Sequence, residues 1–132
     1  MSRVVVNTPS APSAMGPYNV AVEANGFIFL SGQVGLIPEG GRAEDDVGQQ
    51  TRQVMENINQ ILGDLQHSFA DVAKTTIFMT DMADYGAINA VYSEYFEEGM
   101  APARSAIQAA NLPGGFLVEI EMIVARRDVS SG

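Results

Sequence analysis

The sequence predicts an α+β fold in which two helices cover one face of a six-stranded, mostly antiparallel or mixed sheet. Two observations carry this prediction. Six segments suited to strands and two stretches of helical periodicity follow one another in the order β-β-β-α-β-α-β-β. The chain has 132 residues, of which 46% are hydrophobic and 17% charged, without a linker, repeat or low-complexity tract. This size and composition predict a single domain over residues 1–132.

The N-terminal part of the chain predicts one strand and then a hairpin. The first strand is expected at Arg3–Asn7, which contains three consecutive valines. Two further strands, at Tyr18–Glu23 and Phe27–Ser31, are joined through the dipeptide Asn25-Gly26. Both residues of that dipeptide tolerate positive φ, so it favours a tight hairpin turn.

Two amphipathic helices are predicted in the middle of the chain. The first spans Val47–Leu65, and the second spans Asp84–Glu98 with Asp84 as its N-cap and Gly99 at its end. The apolar residues of the first helix recur at helical spacing and are Val47, Val54, Ile58, Ile61, Leu62 and Leu65. Those of the second, which we assign to the core, are Ile88, Val91, Tyr92, Tyr95 and Phe96.

The remaining strands are predicted at Val72–Thr80, Ser105–Ala110 and Phe116–Arg127. Both faces of the last strand are largely apolar, and the run Phe27-Ile28-Phe29-Leu30 has the same two-sided character. Two helices cover only one face of a sheet, so the other face would expose a larger apolar patch than a soluble monomer usually does. We therefore expect the sheets of several subunits to pack against one another.

The charge distribution argues against a nucleic-acid partner. Sixteen acidic residues against seven basic ones give a net charge of −9. The basic residues are scattered, and only Arg126 and Arg127 are adjacent. Because nucleic-acid binding depends on clustered Lys and Arg, we expect the acidic excess to serve solubility instead.

The composition also argues against metal and thiol chemistry. The chain has no cysteine, and its one histidine, His67, has no second histidine to complete a zinc site; we expect it in a solvated loop. No glycine-rich loop opens a helix as dinucleotide sites require, so no cofactor is expected. No apolar run reaches the roughly 20 residues that span a bilayer, and the N-terminus lacks the apolar stretch of a secretory signal. We expect a cytoplasmic protein.

One cation and one carboxylate lie on successive extended segments near the C-terminus. Arg104 belongs to Pro102-Ala103-Arg104-Ser105, and Glu119 follows fifteen residues later in the last predicted strand. A guanidinium can hold a carboxylate through two charge-assisted hydrogen bonds, and a half-buried glutamate can exchange a proton with water. The pair suits a small hydrolase acting on an anionic acid. The alternative is a structural ion pair that ties two strands together.

Six motifs lie in order along nearly the whole chain. They are Ala14-Met15-Gly16-Pro17-Tyr18, Leu30-Ser31-Gly32-Gln33-Val34, Lys74-Thr75-Thr76-Ile77-Phe78, Ile88-Asn89-Ala90-Val91-Tyr92, Pro102-Ala103-Arg104-Ser105, and Leu112-Pro113 followed by Val118-Glu119-Ile120-Glu121. Together they resemble the RidA (YjgF) family of reactive-intermediate deaminases. The resemblance implies a chorismate-mutase-like fold assembled as a homotrimer, with the sheets in a central barrel and the active sites between subunits.

The resemblance also implies an activity that needs no cofactor. Such proteins hydrolyse 2-imino acids, or 2-enamino tautomers such as 2-aminoacrylate and 2-aminocrotonate, to 2-keto acids and ammonia. By the same resemblance, Arg104 would bind the substrate carboxylate and Glu119 would position and activate the attacking water. Glu121 shares a strand face with Glu119 and could instead pair with an arginine or face the interior of the trimer.

The wall of the pocket is implied in the same way. Tyr18 would line it from the neighbouring subunit, and Ser31, Gly32 and Asn89 would complete it. Each of these residues also has a structural alternative. Gly32 could serve a bend or a bulge, Tyr18 could be packing with a satisfied hydroxyl, and Asn89 could bond locally on its helix.

The chain departs from the family pattern at two positions. Ala106 stands two residues after the arginine, where archetypal members often have cysteine, so a covalent sulfur mechanism is excluded. Ala101 stands where a larger aromatic residue is common, so the pocket is expected to be roomier and the preferred substrate to differ.

Other functions remain open from the sequence. One is a specialised deaminase for aminoacrylate- or aminomuconate-type intermediates, and another is a non-catalytic, chaperone-like trimer that binds keto acids. The family has also been labelled as an endoribonuclease, but that reading needs phosphate-binding charge and usually a His or Lys acid/base pair. This chain has one His and one Lys, with a pI near 4.3.

Overall fold

The architecture is the predicted α+β arrangement, and the computed structural model describes it for residues 2–127. The strands are β1 (Val4–Val5), β2 (Ala21–Ala24), β3 (Phe27–Gln33), β4 (Val72–Met79), β5 (Ala103–Gln108) and β6 (Val118–Ala125). The helices are α1 (Val47–Asp64) and α2 (Tyr85–Tyr92).

The six strands form one mixed sheet in the order β1-β2-β3-β6-β4-β5. All neighbouring strands are antiparallel except β4 and β5, which are parallel. Strand β5 begins at Ala103, two residues earlier than predicted, so Arg104 lies inside an edge strand. Strand β4 lies between β5 and β6, so the strands that carry Arg104 and Glu119 are not adjacent.

The predicted hairpin between β2 and β3 is confirmed. Asn25 and Gly26 have φ values of 56° and 84°, and Ala24 pairs with Phe27 across the turn. Positive φ at both central residues gives the turn the twist that flanking strands require.

Helix α1 ends one residue before its predicted limit. The Asp46 carboxylate accepts a hydrogen bond from the Gln49 backbone N–H at 2.9 Å and caps its first turn. Its inward side contains Val54, Ile58 and Ile61, which are fully buried in one core with residues of β6. Both helices contribute to this core, and they cover the same face of the sheet.

The prediction for the second helix was too long. Helix α2 spans Tyr85–Tyr92 and continues only as a single 3-10 turn at Ser93–Tyr95. Glu94, Glu97 and Glu98 follow in the sequence, and no basic residue lies in the last turn. The chain leaves the helical path at Phe96, whose φ and ψ are −127° and 137°.

The predicted caps of this helix were also wrong. Asp84 makes no capping hydrogen bond with its side chain. Asp81 instead caps the 3-10 turn that precedes α2 and accepts from the Ala83 N–H at 2.9 Å. Gly99 has the positive φ of a helix terminator, 79°, but it lies in the loop beyond the 3-10 turn.

The prediction that His67 is solvated was wrong, because the side chain is only 7% exposed. Its Nδ1 lies 2.7 Å from the Leu65 carbonyl oxygen, and its Nε2 accepts the Arg127 backbone N–H at 2.9 Å. These partners place the ring proton on Nδ1 and make the imidazole neutral. The histidine fastens the end of β6 to the segment that follows α1.

The second face of the sheet is apolar and uncovered within one chain, as predicted. Phe27, Phe29 and Ile107 are 43%, 44% and 46% exposed on this open face, while their neighbours Ile28 and Leu30 are buried under the helices. Neither helix of the described residues combines the length and apolar character that crossing a membrane requires.

Candidate active site

The first part of the site is built by a bulge in β3. Leu30 pairs with Met122 of β6, whereas Gln33 pairs with Ile120, so β3 has one extra residue at Ser31–Gly32. The Ser31 hydroxyl donates to the Asn19 carbonyl oxygen at 2.6 Å and ties the bulge to the segment before β2. A bulge redirects the backbone locally, and here it brings Gly32 beside β6.

Gly32 provides space and does not have a positive φ. A Cβ atom at this position would lie 2.7 Å from the carboxyl carbon of Glu119. The glutamate side chain therefore occupies the place that any other residue at position 32 would need. The structural alternative for Gly32, a bulge, is therefore present.

Glu119 opens into a cleft of about 390 Å³, which we call the glutamate cleft. Its lining includes Tyr18, Ser31, Gly32, Pro113, Glu119 and Glu121. Tyr18 is 44% exposed at the rim, and its hydroxyl accepts the Met15 backbone N–H at 3.1 Å. Four of the residues expected at the site thus lie together within a single chain.

Burial is the main cause that raises the pKa of Glu119, and the charge of Glu121 raises it further. Glu121 lies two residues along the same strand, so both carboxylates point to the open face. Neither forms an ion pair among the described residues. Glu119 is therefore a half-buried carboxyl that can hold and release a proton more readily near neutral pH than an exposed one.

The second part of the site surrounds Arg104. Its Nη1 donates to Asn89 Oδ1 and its Nη2 donates to the Tyr85 hydroxyl, both at 2.7 Å. The guanidinium carbon lies 5.2 Å from the ring centre of Tyr92. Of the five N–H donors of the guanidinium, three bond to no other part of residues 2–127. The arginine is held in place and can still donate to a ligand.

Arg104 lines a cleft of about 500 Å³, which we call the arginine cleft. Its lining includes Asn89, Tyr92, Phe96, Glu97, Ala101 and Arg104. The rings of Tyr92 and Phe96 line the cleft, and Ala101 contributes only a small side chain. The cleft thus combines the guanidinium of Arg104 with aromatic rings, and the carboxylates of Glu97 and Glu98 also line it.

The two clefts lie on opposite faces of the sheet. Glu119 alternates with the buried Val118 and Ile120, so it faces away from the helices. Arg104 pairs with Thr75, which is buried under α2, and its own side chain bonds to that helix. Arg104 and Glu119 form no ion pair, so the structural alternative for this pair is wrong.

Tyr85 was missed in the sequence. Its signal was the spacing of four residues from Asn89, which places both side chains on one face of a helix. Nothing in the sequence indicated that this face meets Arg104, because that contact joins α2 to β5.

Comparisons with known proteins agree with this fold. The family model described as Endoribonuclease L-PSP matches residues 8–126. The 2-iminobutanoate/2-iminopropanoate deaminases of Mus musculus and Salmonella typhimurium are 42% and 38% identical to this chain. The matches cover 94% and 96% of this chain, and 92% and 100% of those proteins.

A solved structure gives the same result. The crystal structure of Escherichia coli TdcF with bound serine has a TM-score of 0.86 and 38% sequence identity, over 94% of this chain and 99% of that one. The fold is thus that of a class of small α+β deaminases. The chain belongs to the RidA (YjgF) family of reactive-intermediate deaminases.

Proposed function

We propose that this protein is a hydrolytic deaminase that needs no cofactor and converts 2-imino and 2-enamino acids to 2-keto acids and ammonia. The expected substrates include 2-aminoacrylate and 2-aminocrotonate, together with their imine tautomers. The observation that carries this proposal is the pair of clefts. In one, Arg104 is oriented by two hydrogen bonds and keeps N–H donors for a ligand, and in the other, Glu119 is a half-buried carboxyl. The names of the mouse and Salmonella relatives support the same reaction. We expect it to act in the cytoplasm.

Arg104 binds the substrate carboxylate in this proposal. The guanidinium has N–H donors left after bonding to Asn89 and Tyr85, and two of them can form parallel bonds to a carboxylate. Asn89 contributes by accepting from Nη1, which orients the planar group. The anchored carboxylate fixes the neighbouring C2 atom relative to the attacking water.

Glu119 activates that water. The ionised carboxylate takes one proton as the water oxygen bonds to C2 of the protonated imine, which produces a neutral carbinolamine. The same group returns the proton to the nitrogen. The C–N bond then breaks as the ionised Glu119 takes the carbinolamine hydroxyl proton, which it passes to the departing ammonia. Water and iminium thus become keto acid and ammonium. A carboxyl with a raised pKa suits this exchange in both directions.

The complete site requires two chains. Because the clefts lie on opposite faces of one sheet, we propose that the glutamate cleft of one subunit meets the arginine cleft of the next. Tyr18, Ser31 and Gly32 would accompany Glu119, while Asn89 would accompany Arg104. Tyr18 thus comes from the subunit that neighbours Arg104.

The family resemblance implies a ring of three subunits, and clefts on opposite faces of the sheet are compatible with such a ring. A two-fold dimer buries the same patch on both subunits, and one patch does not include both faces of a sheet. A ring joins different patches, and a trimer is the smallest closed ring. The exposed Phe27, Phe29 and Ile107 on the open face supply the apolar surface for such contacts. Light scattering should then give three times the 14.1 kDa chain mass.

A keto-acid-binding trimer without turnover is the second candidate, because the N–H donors that Arg104 has left can bind a carboxylate without help from Glu119. An endoribonuclease, which the family model's name suggests, is disfavoured by the net charge of −9. The one histidine is also buried with both ring nitrogens bonded, so it is a poor acid or base for RNA cleavage.

Subunit complementation tests the proposal directly. 2-Aminoacrylate is generated in situ by a dehydratase, and its decay is followed with wild-type protein, Arg104→Ala, Glu119→Gln, and a refolded equal mixture of the two variants. Each variant alone should be nearly inactive. Random mixing in a ring should restore about one quarter of the wild-type sites, because each intact site takes one residue from each of two chains. An inactive mixture that scattering shows to be co-assembled would exclude the shared site.

A further inference from the structure

Tyr85 and Asn89 both accept hydrogen bonds from the guanidinium of Arg104, and we call them the acceptor pair. They lie one turn apart on α2, and each offers an oxygen atom to a different terminal nitrogen, at 2.7 Å in both cases. The Tyr85 ring also lies near the cation, with 5.5 Å between its centre and the guanidinium carbon. The described chain gives the Tyr85 hydroxyl no other partner.

The acceptor pair affects ligand binding because an arginine side chain has four rotatable bonds before its planar group. Ordering such a side chain upon ligand binding costs free energy that weakens the complex. Two acceptors on two nitrogens fix both the position of the guanidinium and its rotation. One acceptor alone would leave the plane free to turn about the remaining bond.

We propose that Tyr85 is a positioning residue of the anion site, which pre-orients Arg104 through its hydroxyl group. The identity of the ligand, a small 2-keto or 2-imino acid, rests on the proposed function. The orientation of Arg104 does not. Tyr85 acts through the arginine, so its removal weakens binding of a carboxylate and leaves the chemical step nearly unchanged.

The substitution Tyr85→Phe tests this with little risk to folding. It removes only the hydroxyl group and keeps the ring beside Arg104. Tyr85 is 39% exposed, so the substitution does not disturb the buried core. KM for the substrate and Kd for pyruvate should each rise about fivefold, the ordinary net worth of one hydrogen bond. The value of kcat should stay within about twofold.

The chain offers a matched control at Tyr95. Its hydroxyl also bonds to an arginine, accepting from Arg52 Nη1 at 3.1 Å, and it donates to Glu56 at 2.6 Å. It lies outside the lining of the arginine cleft. Tyr95→Phe therefore removes a tyrosine–arginine bond of the same kind and should leave KM, Kd and kcat unchanged.

A second readout is independent of activity. Nitrogen-15 NMR of the Arg104 side chain reports the rotation of the guanidinium, which should be slow in the wild-type protein and faster in Tyr85→Phe. Pyruvate titrated into the same samples measures carboxylate binding. If wild-type protein binds pyruvate but does not hydrolyse 2-aminoacrylate, the proposed function fails and this inference is still tested.

The possible outcomes distinguish a positioning role of Tyr85 from no role and from a role in the chemical step. Faster rotation of Arg104 together with weaker pyruvate binding, both absent in Tyr95→Phe, supports the positioning role. Unchanged Kd and unchanged rotation in Tyr85→Phe would overturn it. A loss confined to kcat would also overturn it, because it would place Tyr85 in the chemical step instead of in carboxylate binding.

Discussion

The charged side chains of the arginine cleft and the glutamate cleft are held in position in different ways. Arg104 is fixed by two neutral oxygen atoms, whereas Arg52, Arg126 and Arg127 each pair with a carboxylate. A carboxylate partner would have neutralised Arg104 and competed with an anionic ligand. Neutral acceptors orient the cation and leave its charge available to a substrate.

The glutamate cleft depends instead on the backbone. Glu119 is placed by a bulge and by the empty position at Gly32, and no hydrogen bond to its carboxylate is present among residues 2–127. Partial burial and the neighbouring Glu121 act on its protonation rather than on its position. In the proposed site, the arginine cleft would bind the charge of the substrate and the glutamate cleft would exchange protons.

The largest effect is expected from the proton-exchanging half. Glu119→Gln keeps the shape of the side chain but removes the base, so kcat should fall by roughly 10²–10⁴ while pyruvate still binds. The internal control is Glu121→Gln, which should change kcat much less. A loss of activity in Glu121→Gln with full activity in Glu119→Gln would show that the assignment of the water-activating carboxylate is wrong.

The charge-binding half should respond in binding as well as in turnover. Arg104→Ala removes two charge-assisted bonds worth roughly 3 kcal/mol, so kcat/KM should fall at least about a hundredfold and pyruvate should no longer bind. Lys at this position should rescue poorly, because an ammonium does not reproduce the planar fork. Calorimetry with pyruvate measures this directly, and retained binding in Arg104→Ala would place the anion site elsewhere.

Gly32→Ala tests how Glu119 is placed. The new methyl group would occupy the space of the Glu119 carboxyl group, and its displacement should lower kcat about tenfold or more. Gly63→Ala is the control, since a Cβ there meets open space on α1. It should leave kcat unchanged and stabilise the helix by about 0.5–1 kcal/mol. Equal kcat in wild-type protein and Gly32→Ala would mean that Glu119 needs no such placement.

The smallest expected effect concerns pH. Glu119 must be ionised to accept a proton, so kcat/KM should fall as the pH decreases through its pKa, which lies above the usual range of a glutamate. Glu121→Gln removes the neighbouring charge that helps to raise this pKa, so the acid limb of the profile should move to lower pH. Glu39→Gln, in an exposed loop outside the glutamate cleft, should not move it. An acid limb that stays at the same pH in Glu121→Gln would show that Glu121 does not raise the pKa of Glu119.

Much of the fold could be predicted because its signals are local. The tight turn at Asn25-Gly26, the period of α1 and the two-sided apolar strands depend on residues close together in the chain. The errors occurred where distant groups decide the outcome. His67 is buried because its ring accepts a bond from Arg127, sixty residues away, and no local pattern around His67 reports that contact.

The residue types of the candidate site, and the motifs that contain them, were evident in the sequence alone. Periodicity also determined which strand residues share a face, since successive side chains alternate. Strand order was decided only in the folded chain, because pairing depends on contacts between segments far apart in sequence. The placement of β4 between β5 and β6 separates Arg104 from Glu119, and the register of the two strand pairs puts them on opposite faces. The packing of α2 beside β5 likewise places Tyr85 next to Arg104.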